Sequence, residues 1–403
     1  MNASLTSTAA EARTRAGREA EQDTHRAALW ALLFGNFVIG AGVLAPAGLI
    51  NELRQAFNID APTVGTLIGY GAIVLCFGAP LLAYFTNRID RRTLLTASLV
   101  LFTAGHFASA LAPNFATLLA IRVVMVMSAA VFTPQAASAV TLLVPPEKRA
   151  SAVAFIFLGW SLASAGGIPA ATLLSAHAGW SAAYVAIGIA CAVCALGVGL
   201  TLPRGLRTPA LSLESWKGVF SSRKILLVLA VTALALGGQF TVYPFIAAEL
   251  KTFGATTNLI AMLLGLFGVA GVLGAAVSTV AIGRLGAPLA CTLCLIAVAI
   301  GLTAWSASAG AIAFAGISMF VWGFGLGPAN SAQQARLIAA DPPVASASVA
   351  LNTSAIYVGQ AAGTFIGGRL MTFGHASALG LVGAGLVALA IVGSLVARFR
   401  FRV

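Results

Sequence analysis

Arg122 is the residue whose type and place in this chain most call for a chemical role. It sits about seven residues into an apolar run, roughly 10 Å deep at 1.5 Å per residue. An arginine at the centre of a bilayer costs about 2.5–3.5 kcal/mol on insertion scales, and such residues usually face a cavity. Arg122 could bind a substrate, control proton transfer, or hydrogen-bond a carbonyl of a neighbouring helix. The eleven acids lie away from the middle of the apolar runs. Glu52 and Glu249 fall at corresponding ends of the first and seventh runs, and His106 lies at depth in the third. The usual proton carrier is a buried carboxylate with a raised pKa, so Arg122, Glu52, Glu249 and His106 are the proton-coupling candidates.

A second set of residues suits ligand contact. Asn36, Gln135, Trp160, Gln239, Tyr243, Trp322, Asn330, Gln333, Asn352, Tyr357 and Gln360 are scattered through otherwise apolar runs. Gln239 and Tyr243 are four apart and share a helix face, and Asn352 and Gln360 fall on one stripe. Amides both donate and accept hydrogen bonds. With Arg122 they are expected to line a wet cavity for a neutral polar or weakly anionic solute. Hydrogen bonds between helices, worth about 0.6 kcal/mol each in lipid, are the competing role.

Other chemistry finds little support. Cys191/Cys194 and Cys291/Cys294 have C-x-x-C spacing, but both pairs lie in apolar runs without His, Asp or Glu nearby. Cysteine there packs as a small hydrophobe, so no metal or cofactor is expected. There is no H-E-x-x-H, no paired membrane Asp and no G-x-S-x-G on a suitable turn, and the chain is not expected to be an enzyme. The net charge of +12 comes without patches of Lys and Arg beside aromatics, so nucleic acid is not an expected partner.

The elements that position these residues follow from composition. Of the 403 residues, 59% are hydrophobic and 8% charged, against roughly a quarter charged in a soluble domain. About 20 apolar residues cross the hydrocarbon core, and only helices or closed barrels satisfy their backbone there. Spans are expected near 27–50, 62–86, 93–111, 115–143, 149–172, 180–202, 224–250, 256–282, 286–308, 310–338, 344–372 and 376–399. Residues 1–26 are expected to be a disordered cytosolic tail. Arg54 and Lys251 fall in loops on one side and Arg122 and Arg369 inside spans, leaving 19 of the 23 Lys and Arg, Arg336 among them, on the other side. The positive-inside rule makes that side cytosolic, with both termini in it.

The chain also repeats. Arg88 and Arg284 are offset by 196, Pro145-Pro146 and Pro342-Pro343 by 197, and Pro46 and Pro244 by 198. This predicts an all-α membrane protein of twelve transmembrane helices in two pseudo-symmetric six-helix bundles, 27–202 and 224–399. Residues 203–223 form a cytosolic linker and 400–403 a cytosolic tail. Internal repeats of this kind mark secondary transporters, with the site at the midplane between halves.

Gly78-Ala79-Pro80 followed by Asn87-Arg88-Ile89-Asp90-Arg91-Arg92 resembles the cytoplasmic signature of the major facilitator superfamily, G-x-L-x-D-R-x-G-R-R. Arg122 falls at that family's intramembrane arginine. Gly159 and Gly166-Gly167-Ile168-Pro169 look like its antiporter motif in the sugar- and purine-efflux form. The stretches Gly238–Tyr243, Ala332–Arg336 and Asn352–Ala355 also look like that branch, the arabinose-efflux-permease-like drug:proton antiporters. The resemblance implies gating roles for Gly78, Arg88, Asp90, Arg91, Arg92, Gly159, Gly166, Gly167, Pro169 and Arg284. Asn87 stands where the motif has Asp, Asp90 where it has Gly, and Val43 where many relatives carry an acid. The resemblance implies a monomeric inner-membrane exporter of a sugar, nucleoside, purine or drug-like compound, working by alternating access in exchange for protons. An uptake symporter or an uncoupled facilitator of the same fold is the alternative.

Overall fold

The computed structural model describes residues 2–86, 88–207, 213–308 and 310–401. Helices dominate because the sequence supplies long runs without polar side chains to compete for the backbone. The long helices of the first half are α1 (Asn2–Gly48), α2 (Ala61–Thr86), α3 (Arg91–Ala110) and α4 (Phe115–Leu143). They continue with α5, built from Arg149–Leu162, a π-helical turn Ala163–Gly167 and Ile168–Ala178, and with α6 (Trp180–Thr201). The second half has α7 (Arg223–Phe240), α8 (Thr257–Leu285), α9 (Ala287–Ala307), α10 (Ile312–Ala340), α11 (Ala345–Thr372) and α12 (Leu379–Phe401).

Eleven helices among the described residues are long and apolar enough to span a membrane. The expected twelfth is α11, which has the length at 28 residues. It carries Asn352, Thr353, Ser354 and Gln360 on a helix packed between α2 and α7, which lowers its apolar content. Val193, Leu196 and Leu200 of α6 are exposed by 63–78% at three- and four-residue spacing. Such an apolar stripe on the outside of the bundle suits lipid and not water. Arg369 is exposed in the last turn of α11.

The first helix, α1, begins at Asn2, ahead of the first apolar run; Ala, Glu and Arg are good helix formers, so the missing apolar face does not prevent a helix there. The linker is also more than a tether. Within it Leu213–Ser221 is helical, and Val219 is buried among Ile225, Leu337 and Ala340.

Helices α1–α6 pack on one another, as do α7–α12, and the two sets meet where α2 lies on α11 and α5 on α8. Exchanging each helix of the first pair for its counterpart in the other half, α2 for α8 and α11 for α5, gives the second pair, so the sequence repeat is a twofold relation in space. Near its axis, Asn51 Nδ2 donates to the Ala247 carbonyl at 2.9 Å, between residues 196 apart in sequence. Each half ends there in a short helix, Ile50–Phe57 and Ile246–Thr252. Between the halves, a Cβ on Gly268 of α8 would collide with the Ala165 backbone in the π turn of α5. Only glycine permits that approach.

Candidate functional site

Arg122 is 1% exposed, and its guanidinium reaches backbone rather than open space. Nη1 donates to the Gly42 carbonyl at 2.8 Å, Nη2 to the Val43 carbonyl, and Nε to the Leu67 carbonyl at 3.3 Å. The cause lies four residues along α1. Pro46 has no N–H, so the Gly42 carbonyl lacks its helical donor. Arg122 fills that vacancy and ties α4 to α1 and α2. Its donors are engaged with carbonyls, one of the three roles the sequence left open, which compensates for burying a charge.

His106 of α3 is fully buried beside this clamp. A Cβ on Gly42 would collide with His106 Nε2. Its ring lies 5.7 Å from that of Tyr184 of α6 and 4.7 Å from that of Phe102. Neither ring nitrogen has a hydrogen-bond partner, nor does the Tyr184 hydroxyl.

In the first half Thr133 Oγ1 donates to Asn36 Oδ1 at 2.9 Å and accepts from Trp160 Nε1 at 3.4 Å, joining α4, α1 and α5. Asn36 Nδ2 is buried without a partner. Gln135 is buried two residues beyond Thr133 along α4. A Cβ on Gly159 would strike the Leu33 carbonyl, so α5 crosses α1 by virtue of that glycine. Gly167 faces Ala41 of α1, a Cβ on Gly166 would meet open space, and Pro169 lines a crevice of about 530 Å³ between α5 and α8.

In the second half Trp322 Nε1 donates to Gln239 Oε1 at 2.9 Å, while Gln239 Nε2 donates to the Ala235 carbonyl. The Tyr243 ring lies 6.4 Å from that of Trp322, edge to face, and its hydroxyl meets Ser164 of α5. A second network lies further along these helices. Asn352 donates to Asn330 at 3.2 Å and accepts from Thr232 at 2.8 Å; Gln333 Nε2 reaches Thr232 at 3.2 Å. Tyr357 and Gln360 are half-buried on α11.

This second network ends on a residue counted among the cytosolic cations although it lies within the expected span 310–338. Arg336 lies inside α10 and is 1% exposed, donating to Gln333 Oε1 and Ser394 Oγ, each at 2.9 Å. Its signal was available: it follows Gln333 by three residues, on the same face of one helix. Cys291 reaches the same Gln333 oxygen at 3.4 Å, and all five cysteines are free thiols.

The loop motif between α2 and α3 also resolves into contacts. Asp90 caps α3 by accepting from Thr93 N–H, and it accepts from Gly205 N–H of the linker at 2.6 Å. Arg91 is 2% exposed and its N–H donates to the Leu206 carbonyl at 3.0 Å. Asp90 therefore fastens the start of α3 to the linker. Arg88 and Arg284 are exposed, Arg92 is half-buried and Gly78 packs on Ala130. Asn87 lies outside the described residues.

Contacts between the halves gather at the Asn51 end. They include Gly65 on Phe245 and Tyr70 on Phe365, and they reach Ser354, whose hydroxyl donates to the Cys76 carbonyl at 3.0 Å. Beyond Cys76, Phe77 and Leu81 of α2 are exposed by 69% and 56%. Glu249 is buried at the Asn51 end, and Glu52, half-buried, lies there near Lys251 of the other half. Burial pushes the Glu52 carboxyl above its ordinary value, more than its own backbone, Lys251 and Ser175 lower it.

Two six-helix halves, paired α2 to α11 and α5 to α8, with amides and indoles on the helices between them, define a membrane transport fold. Residues 32–350 match the sequence model of the Major Facilitator Superfamily, and the chain belongs to that family of small-solute transporters. It is 29% identical over 375 residues to the inner membrane transport protein YdhP of Escherichia coli (strain K12), covering 90% of this chain and 94% of that protein. Among solved structures, it superimposes on the nucleoside transporter NupG with a TM-score of 0.76 at 12% identity, covering 92% and 98% of the two chains. The D-xylose-proton symporter gives 0.73 at 15% identity, covering 93% and 97%. These two likenesses are of fold.

Proposed function

We propose that this chain is a proton-coupled exporter of a neutral, polar small organic solute, of the arabinose-efflux-permease-like kind, working as a monomer in the inner membrane. The Gln239–Trp322 pair carries this reading. A glutamine and an indole hydrogen-bonded to each other and buried at membrane depth, with Tyr243 edge-on beside them, would offer an aromatic wall and an amide to a ring-bearing ligand once α7 and α10 admit one. Asn36, Thr133 and Trp160 offer the same combination from the first half. Neither group includes a carboxylate, which favours sugars, nucleosides, purines or neutral drugs over cations.

The Lys and Arg distribution makes the Arg88 end cytosolic, with both termini there. The contacts at the Asn51 end would then close the outer side. The π turn of α5, which ends in Gly166-Gly167 just before Pro169 and lies against both α1 and α8, is the element on which the halves would rock.

Purified protein screened by thermal shift against sugars, nucleosides, purines and antibiotics identifies the ligand. Proteoliposomes with an imposed pH gradient then test direction and coupling. Proton entry should drive the compound the opposite way. Movement indifferent to the gradient means a facilitator, and movement alongside the proton means a symporter.

A further inference from the structure

We propose that His106 is the proton-binding residue, and that its protonation and the hold of Arg122 on α1 exclude one another. This rests on the proton-coupled reading above and assigns its site.

The first observation is one of unmet demand. A neutral imidazole carries one N–H donor and one acceptor nitrogen. Both His106 nitrogens are unpartnered in a fully buried ring, and so is the neighbouring Tyr184 hydroxyl. A residue selected for packing alone would be phenylalanine or leucine there, with no polar atom left over. A buried group left unsatisfied in this way calls for an explanation, and a second state that supplies the missing partner provides one.

The second observation is where that partner lies. His106 Nε2 packs against Gly42, the residue whose carbonyl Arg122 occupies because Pro46 cannot. Around His106, α4 presents Arg122, α6 presents Tyr184, and α1 presents backbone carbonyls. No acid appears among these groups. An imidazolium and a guanidinium side by side without a counter-ion repel strongly in a medium of low dielectric. The proton can therefore be held only as Arg122 withdraws from Gly42 and Val43. Those carbonyls then accept from the new imidazolium N–H. In the step, a His106 ring nitrogen gains the proton through its lone pair, and Arg122 keeps its own protons throughout. Losing the proton restores the present arrangement.

The third observation is the route. His106 lies four residues before the end of α3, and Tyr184 four after the start of α6, at the same end of the bundle. That is about 6 Å of helix from the Asn51 end, the side from which a proton gradient would be fed.

Protein labelled with ¹⁵N-histidine and ¹⁵N-arginine in lipid nanodiscs, titrated from pH 8 to 4, provides a test that needs no ligand. The chain has four histidines, and His106→Gln assigns the signal. The His106 ring should pass from neutral to imidazolium shifts, with the Arg122 Nε–H signal moving in the same step. A ring neutral down to pH 4, or one that titrates with Arg122 unmoved, overturns the proposal. Proteoliposomes carrying the compound found by thermal shift separate the two readings. If wild-type flux ignores the gradient, proton coupling itself falls. If wild-type flux follows it and His106→Gln follows it equally, only the assignment to His106 falls. Should the glutamine variant misfold, a folded His106→Phe that keeps the full gradient response overturns that assignment equally well.

Discussion

Arg122 donates to the carbonyl of Gly42 at 2.8 Å, and that carbonyl is free because residue 46 is proline. A helix defect in α1 is thus repaired by a side chain from α4. The pairing explains how an arginine can be buried in the membrane without an acid. It also makes α1 and α4 one mechanical unit for as long as the bonds hold.

This pairing predicts an interaction between two positions far apart in sequence. Arg122→Ala should insert normally and abolish transport, since the carbonyl clamp between α1 and α4 is then lost. It should also lower stability by about 1–3 kcal/mol for each carbonyl left buried and unbonded. Pro46→Ala restores an N–H four residues from Gly42, so adding it to Arg122→Ala should recover part of the lost Tm without recovering transport. Thermal unfolding of the four proteins as a double-mutant cycle reads the coupling. Normal transport by Arg122→Ala refutes the clamp.

The Gln239–Trp322 hydrogen bond predicts an asymmetry between single and paired substitutions. Gln239→Leu leaves the indole N–H of a fully buried Trp322 without an acceptor, at a cost of about 1–3 kcal/mol. Trp322→Phe removes the donor too, so the double variant should be less destabilised than Gln239→Leu alone. Both single variants should weaken ligand binding by tenfold or more, measured by isothermal titration with the compound the screen identifies. A Gln239→Leu protein that binds as tightly as wild type takes this pair out of the site.

Gly268 predicts a conformational effect. A Cβ there would meet the backbone of Ala165, which cannot rotate away as a side chain can. Gly268→Val should therefore force α8 off α5 and weaken closure at the Asn51 end. Spin labels at Asn58→Cys and Thr252→Cys, in a background with the native cysteines replaced, should give a longer or broader distance distribution than in wild type. An unchanged distribution would mean that this contact does not set the closed state.

Much of the architecture was legible because the bilayer imposes one rule on every span. Apolar length gave the helices, and the 196–198 offsets gave the halves. The roles of individual residues were less legible. Arg122 was conspicuous as a charge in an apolar run, but its partners are carbonyls of residues 42, 43 and 67, which no side-chain pattern reveals. Arg336 was counted with the cytosolic cations although the expected span 310–338 contains it, and its burial depends on Ser394 of α12 as well as on Gln333. Asp90 was noticed as a displaced motif acid, and its attachment to Gly205 depends on the path of the linker. In each case the missing information was a contact between elements distant in sequence.

Glu52 makes a prediction about pH. Its carboxyl is half-buried at the Asn51 end, and burial raises its pKa above 4.5, the value taken for an exposed glutamate. A group with a raised native pKa binds more protons folded than unfolded, so the stability it confers falls as pH rises through that range. The closed end should thus be firmest in acid and lose stability from about pH 4.5 upward. Glu52→Gln mimics the protonated form and cannot titrate. It also gives up the attraction of Lys251, which is smaller than the penalty for burying the charge. The variant should match wild type below about pH 4.5 and exceed it in Tm at higher pH, the gap widening through the carboxyl's titration and holding constant above it. Parallel Tm curves, or a gap that narrows toward neutral pH, would show that the carboxylate is stabilised where it sits and that Lys251, rather than burial, governs its charge.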